Sequence, residues 1–282
     1  SNCRSVLIIM FDLTDKVVVI TGGAGKLGTK HAEAVAEFNA IPVIVDLDKT
    51  KIDKVVAYIR DKYGVNAVGF QVDITVEDQV LKCCKKIKSN FGKIDVLINN
   101  AANNPKVENE KADKNFSRLE NFDLSVWQQD ISVGLTGAFL CAKYFGFEIA
   151  KNTNGGSIIN ISSDLGLIAP DQQLYQKEGV AYDEQTVKPV TYSVVKTGLI
   201  GLTRYLATYW SDKNVRCNAL CPGGVKNEGL SEEFLNNIHQ RIPLRRMAHV
   251  DDYKSAIVFL ISDSSSYLNG SIIPIDGGRT VW

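Results

Sequence analysis

The sequence predicts an α/β fold: a doubly wound, seven-stranded parallel sheet in one domain, with helices on both faces. Three observations carry this. Short apolar runs rich in Val and Ile alternate with helical patterns from residue 17 to residue 275. These runs are continuous rather than alternating with polar residues, so each strand is buried on both sides, as in a parallel sheet. No internal repeat and no Pro/Ser-rich linker interrupts the series.

The elements follow in order. Val17-Val18-Val19-Ile20-Thr21 is a buried strand, and glycine punctuation separates it from a helix over 26–38. A second strand over 41–45 ends at Asp46. A helix over 50–63, a strand over 67–72, a helix over 76–91 and a strand over 94–98 continue the rhythm. The stretch 103–122 breaks it, because it is rich in Asn, Lys and Glu and nearly free of aliphatic residues. A long helix over 124–150 leads to a fifth strand over 157–161. A second irregular stretch, 164–190, precedes a helix over 191–211 and a strand over 215–220. Helices near 231–241 and 251–261 and a last strand over 271–275 close the chain.

Composition limits the function. The 282 residues carry 32 Lys+Arg against 32 Asp+Glu, so a protein held to nucleic acid by a basic surface is disfavoured. The six cysteines (Cys3, Cys83, Cys84, Cys141, Cys217, Cys221) form no C-x-x-C pair, and the three histidines are far apart. Reduced thiols in a cytoplasmic protein without a metal are the expectation. The apolar run at 6–11 is far shorter than the about 20 residues that span a bilayer, so no membrane partner is expected. Residues 1–10 read as a leader, natural or appended, ahead of a catalytic domain over 11–282.

Two constellations carry chemistry. Thr21-Gly22-Gly23-Ala24-Gly25-Lys26-Leu27-Gly28 lies between the first strand and the first helix. Glycines there permit a tight turn, and the helix N-terminus offers N–H groups and a dipole to a pyrophosphate. This is the Rossmann arrangement, with Asp46 placed to accept hydrogen bonds from ribose hydroxyls. The same charge repels a 2′-phosphate, which favours NAD over NADP. The plainer reading of Asp46 is a charge at a helix N-terminus. Farther on, Tyr192 and Lys196 are four apart and share one helix face. Bringing a Tyr hydroxyl from its usual pKa near neutrality costs about 4 kcal/mol. One cation about 4 Å away, at an effective dielectric of about 20, supplies about that much.

In combination these features resemble the short-chain dehydrogenase/reductase family over nearly the whole chain from Phe11. The matching residues are the glycine turn, Asp73, Asn99-Asn100-Ala101-Ala102, Ile161-Ser162-Ser163, Tyr192 with Lys196, Cys221-Pro222-Gly223-Gly224 and Asp276-Gly277-Gly278. The resemblance implies a catalytic set of Ser163, Tyr192 and Lys196. Tyr192 would be the acid–base, Lys196 would bind the nicotinamide ribose, and Ser163, rather than Ser162, would hydrogen-bond the substrate oxygen. It implies cofactor contacts from Gly22, Gly25, Lys26, Leu27 and Asp46 at the pyrophosphate and ribose. Asp73, Ile74, Asn99 and Ala101 would border the adenosine, and Pro222, Gly223 and Val225 the nicotinamide. It also implies a homotetramer or homodimer, with Trp127, Phe139, Phe145, Phe147, Tyr205, Tyr209 and Trp210 as contacts where they are not core.

The chain departs from the family in three places. Lys26 stands where the family places a glycine; a basic residue in this loop could reach a phosphate and often accompanies NADP use, against which the charge of Asp46 weighs more heavily. Gly134 stands where the long central helix commonly carries an Asn that holds a water for a proton relay. Either a water fills that space or Gly134 only relaxes helix packing. Ser163 and Tyr192 are 29 positions apart, about twice the family's spacing. The extra residues carry Asp171, Lys177, Glu178, Asp183 and Glu184, and both their flanks are active-site elements. Loops at strand ends bind substrate. Two polar excursions, 103–122 and 164–190, suit a hydroxyl-rich or charged substrate better than an acyl chain, unless they pack between subunits. The insertion and the closing Gly-Gly-Arg-Thr-Val-Trp most resemble a branch found in bacterial surface-sugar and flagellin-modification pathways. The function expected is alcohol–carbonyl interconversion on a polar, sugar-like substrate with NAD. The alternatives are an NADPH-dependent 3-oxoacyl thioester reductase and a low-turnover dinucleotide-binding regulator.

Overall fold

In the computed structural model, residues 10–103 and 116–282 are described. The leader 1–9, Cys3 and most of the first polar excursion therefore lie outside the described residues. Seven parallel strands form one sheet in the order β3-β2-β1-β4-β5-β6-β7. They are β1 (Val17–Thr21), β2 (Ile41–Asp46), β3 (Val68–Gln71), β4 (Val96–Asn99), β5 (Gly156–Ile161), β6 (Val215–Pro222) and β7 (Ile272–Ile275). The chain starts at the centre, winds outward to β3, returns to β4 beside β1, and winds the other way. Strand direction from this switch point leaves a crevice at the carboxyl ends of β1 and β4.

Alternation within β1 divides the core. Val18 and Ile20 face one layer; Val17 and Val19 face the other. The first layer is covered by α1 (Lys26–Ala36), α2 (Lys49–Tyr63) and, after a shorter helix α6 (Glu232–Gln240), α7 (Lys254–Ile261). The second is covered by α3 (Glu77–Phe91), the long helix α4 and α5 (Val190–Tyr209). Caps set several ends. Asp48 accepts from the Lys51 N–H at 3.0 Å and starts α2, and Gly64 and Gly92 end α2 and α3 in the left-handed region.

The long helix differs from the expected continuous one. It is α-helical over Leu124–Ile131, Gly137–Cys141 and Phe147–Ile149, with π-turns at Ser132–Thr136 and Ala142–Gly146. Each π-turn contains a glycine that admits a residue from α5 or its end. A Cβ on Gly134 would come within 2.4 Å of Val195 Cγ1, and one on Gly146 within 2.7 Å of the Trp210 ring. The first π-turn thus lies where α5 packs against the long helix, and the second lies under Trp210 at the end of α5. One of the expected intersubunit aromatics is core instead: Phe145 is fully buried, while Trp210 is half-buried and seats on Gly146. Phe139, Phe147, Tyr205 and Tyr209 are exposed. All five described cysteines are buried free thiols, and among the described residues no cluster of His, Cys, Asp and Glu is arranged to hold a metal. Among those residues, no helix is long and apolar enough to cross a membrane.

His31 on α1 is the core's main electrostatic liability. It is 1% exposed, and beyond the Asn100 amide its ring nitrogens meet no hydrogen-bond partner. Burial pushes its pKa down to about 4, which the neighbouring Asn100 amide only partly opposes. The unfolded chain, with an ordinary imidazole, takes up its proton first as pH falls. Stability from neutral His31 is therefore full above about pH 6.5 and is lost as pH falls toward 4. Between pH 7 and 5 the protein should lose about 2 kcal/mol of unfolding free energy that a His31→Leu variant retains. Urea titrations at the two pH values check this; parallel losses in both proteins would remove His31 as the cause.

Candidate active site

A cleft of about 650 Å³ opens at the carboxyl ends of the central strands. At one end it is floored by the glycine turn. Gly22 has φ +59°, and a Cβ there would lie 2.9 Å from Ala101 Cα. A Cβ on Gly28 would lie 2.1 Å from the Gly22 carbonyl oxygen. These two positions require glycine, one for its backbone angle and contact with β4, the other for close packing of α1. Gly25 begins α1 without a side-chain cap, so its first N–H groups face the cleft mouth.

Asp46 is held in place here. Its Oδ2 accepts from the Ala24 N–H at 3.1 Å, and its Oδ1 from the Leu47 N–H at 2.8 Å. The helix that follows is capped by Asp48, so Asp46 is not that helix's cap. Asp73 also lines the cleft, its Oδ1 accepting from the Thr75 N–H and hydroxyl at 2.9 and 2.6 Å. Leu27, Ile74, Ala101, Pro222, Gly223 and Val225 line the same space.

Two predicted contacts are placed differently. Asn99 is buried and is not in the cleft wall, which Asn100 and Ala101 form instead. The Asn99 amide points inward, donating to Asn160 Oδ1 at 2.9 Å and to the Ala138 carbonyl at 3.3 Å. Lys26 reaches across the cleft rather than over the glycine turn. Its ammonium donates to the Lys226 carbonyl at 3.0 Å and to Asn227 Oδ1 at 2.5 Å.

Ser163, Tyr192 and Lys196 line the same cleft. The end of β5 supplies Ser163, and α5 supplies the other two. Lys196 Nζ is buried and donates to the Ile161 carbonyl at 2.8 Å. Burial, with Lys188 adding repulsion, lowers its pKa to about 8. Ser162 is turned away, its hydroxyl donating to the Lys196 carbonyl at 2.7 Å. Sequence reasoning missed Lys188. It is buried, and its Nζ lies 4.3 Å from the centre of the Tyr192 ring, against 5.8 Å for Lys196. The legible signal was its place just before Pro189, where α5 begins.

The 164–190 insertion is not a purely polar loop. Short turns at Asp164–Gly166, Gln172–Tyr175 and Tyr182–Glu184 give it structure. Leu174 and Tyr175 are buried against Ile238 and Ile242, with Phe116, Phe234 and Met247 around them. Arg241 grips Asp171 at 2.5 Å, and Arg118 donates to the Tyr182 carbonyl at 2.7 Å while facing its ring. The described end of the first excursion thus packs on the insertion. Tyr175, Phe234, Ile238 and Met247 give the cleft an apolar side, which corrects the expectation of a wholly polar mouth.

Next to Lys196 lies a second, small space of about 10 Å³, near the lower limit for one water. Gly134, Asn103, Asp130, Thr191 and Tyr192 border it. Asp130 is buried and accepts from Asn103 Nδ2 at 3.0 Å and from the Thr191 hydroxyl at 2.5 Å. Val195 occupies the volume that a side chain at 134 would need.

The chain matches the family model described as enoyl-(acyl carrier protein) reductase over residues 23–280. It is 34% identical to an uncharacterized oxidoreductase of Thermotoga maritima, covering 94% of this chain and 97% of that one. It is 30% identical to an NAD-dependent glycerol dehydrogenase of Listeria innocua, covering 96% of each. The crystal structure of a gluconate 5-dehydrogenase from Burkholderia cenocepacia, in complex with NADP and tartrate, superposes with a TM-score of 0.84. That match has 25% identity and covers 98% of this chain and 99% of that one.

A Gly134→Asn variant should be destabilised by about 1–3 kcal/mol, because its Cβ meets Val195. Adding Val195→Ala should recover at least half of that loss. Thermal unfolding of the single and double variants tests the pair; additive losses would show that the two positions do not share one volume.

Proposed function

The chain belongs to the short-chain dehydrogenase/reductase family, and from that premise we propose an NAD-dependent oxidoreductase that interconverts an alcohol and a carbonyl on a polar, sugar-like substrate. One observation carries the reading. Ser163, Tyr192 and Lys196 share a single cleft with a glycine turn that a Cβ would fill and an uncapped helix N-terminus. That cradle fits a dinucleotide, with Gly22, Gly25 and Leu27 at the pyrophosphate and Asp46 at the adenosine ribose. When bound, the nicotinamide supplies the hydride acceptor or donor.

The chain's own residues handle the proton. Tyr192 takes the hydroxyl proton as the carbon is oxidised and returns it in the reverse direction. Ammonium groups of Lys196 and Lys188 beside its ring stabilise negative charge on the phenol oxygen. Ser163 orients the substrate oxygen. The relatives' printed names span glycerol and gluconate dehydrogenases, which supports a polyhydroxy substrate. A second reading, an NADPH-dependent 3-oxoacyl thioester reductase, draws on the apolar side formed by Tyr175, Phe234 and Met247. The exposed Phe139, Phe147, Tyr205 and Tyr209 suit contacts between copies in a homotetramer or homodimer.

Two measurements test this. Turnover of a polyol panel with NAD should fall by about 10²–10⁴-fold in Tyr192→Phe; equal turnover would remove Tyr192 as the acid–base. In fluorescence titrations NADH should bind at least about tenfold more tightly than NADPH, and Asp46→Asn should narrow that gap. A preference for NADPH in the parent would remove the role given to Asp46.

A further inference from the structure

The residue after Ser163 is unusual in its partners. Asp164 is 2% exposed, and its Oδ1 accepts from the Ser163 hydroxyl and from the Leu165 N–H, both at 2.8 Å. Its Oδ2 accepts from Arg279 Nη1, also at 2.8 Å. Arg279 comes from the far end of the chain, just past Gly277 and Gly278, both in the left-handed region. It is 8% exposed and borders the cleft.

The pair is asymmetric. Both carboxylate oxygens are committed, and the carboxylate is the deeper member. The guanidinium has five N–H donors, and its bond to Asp164 uses one of them. A guanidinium this deeply placed forfeits much of its hydration and gains from a second acceptor. It also stands close to the reacting position, separated from Ser163 Oγ by one carboxyl group and two hydrogen bonds.

We propose that Arg279 is an anion subsite of the substrate chamber, taking a carboxylate or phosphate carried by the substrate a few bonds from the carbon that is oxidised. This rests on the oxidoreductase reading above and narrows it: the substrate is an acidic or phosphorylated polyol rather than a neutral one. Asp164 holds the guanidinium edge-on through one nitrogen, leaving the remaining donors for a planar, forked contact. It also accepts the Ser163 hydroxyl proton, so one carboxylate joins Arg279 to Ser163.

The test uses the NAD-loaded protein and four-carbon probes that differ only at one end: D-threitol, D-threonate and D-threitol 4-phosphate. Calorimetric titration should show at least one anion binding tenfold or more tightly than threitol. In Arg279→Met that advantage should fall below threefold, and Arg279→Lys should be intermediate. Unchanged NADH binding in each variant shows that it is folded. The arm with the larger advantage identifies carboxylate or phosphate as the group. Equal affinity for threitol and both anions, no anion binding at all, or an advantage that survives in Arg279→Met overturns the subsite. Threitol turnover without anion preference leaves the oxidoreductase reading intact. Anion binding through Arg279 with no turnover of any probe overturns that reading while keeping the subsite.

Discussion

A run of buried hydrogen bonds ties α5, the helix that carries Tyr192 and Lys196, to the sheet. The Asn99 amide at the end of β4 donates to Asn160 on β5, and Asn160 donates to the Thr203 hydroxyl on α5 at 2.9 Å. Thr203 in turn donates to the Leu199 carbonyl within the same helix. Asn160 and Thr203 have no exposure, so each of these bonds would be costly to leave unmade. The same run reaches α4 through the Ala138 carbonyl. Two strands and two helices are thereby fixed in one register. Tyr192 and Lys196, farther up α5, inherit their position relative to the ends of β4 and β5 from it.

This explains why Asn99 is not where sequence reasoning placed it. An Asn at the carboxyl end of a central strand has two places to go, into the crevice or into the layer behind. Sequence alone does not show which way a strand-end side chain turns. Asn100 and Ala101 then face the crevice, and Thr21 holds both of their N–H groups. What was legible in the sequence was local. The strand–glycine–helix unit, Asp46 at the end of β2 and the four-residue spacing of Tyr192 and Lys196 are each set within a few residues. What was not legible is tertiary. Lys188 against Tyr192, Asp164 against Arg279 and Lys26 against Asn227 join segments through space or at unpredictable rotamers.

The insertion shows the same limit from another side. Its composition is polar, and that suggests a polar mouth for the substrate or a contact between subunits. Yet Leu174 and Tyr175 seat it on α6, Arg241 and Arg118 hold Asp171 and Tyr182, and Gln185 bonds to Lys177 and Val180. The resulting wall is divided, apolar toward Phe234 and Met247 and charged toward Asp164 and Arg279. A substrate filling it would be read at one end by shape and at the other by charge.

The contact between Gly134 and Val195 has a historical side. The two positions lie on different helices, yet they draw on a single volume. A lineage that carried a side chain at 134 would have needed a smaller neighbour at 195, and the reverse journey has the same requirement. The order of the two changes then matters as much as their outcome, because one intermediate is overfilled and the other is hollow. In such a pair the constrained quantity is the shared space, and neither residue read alone describes it.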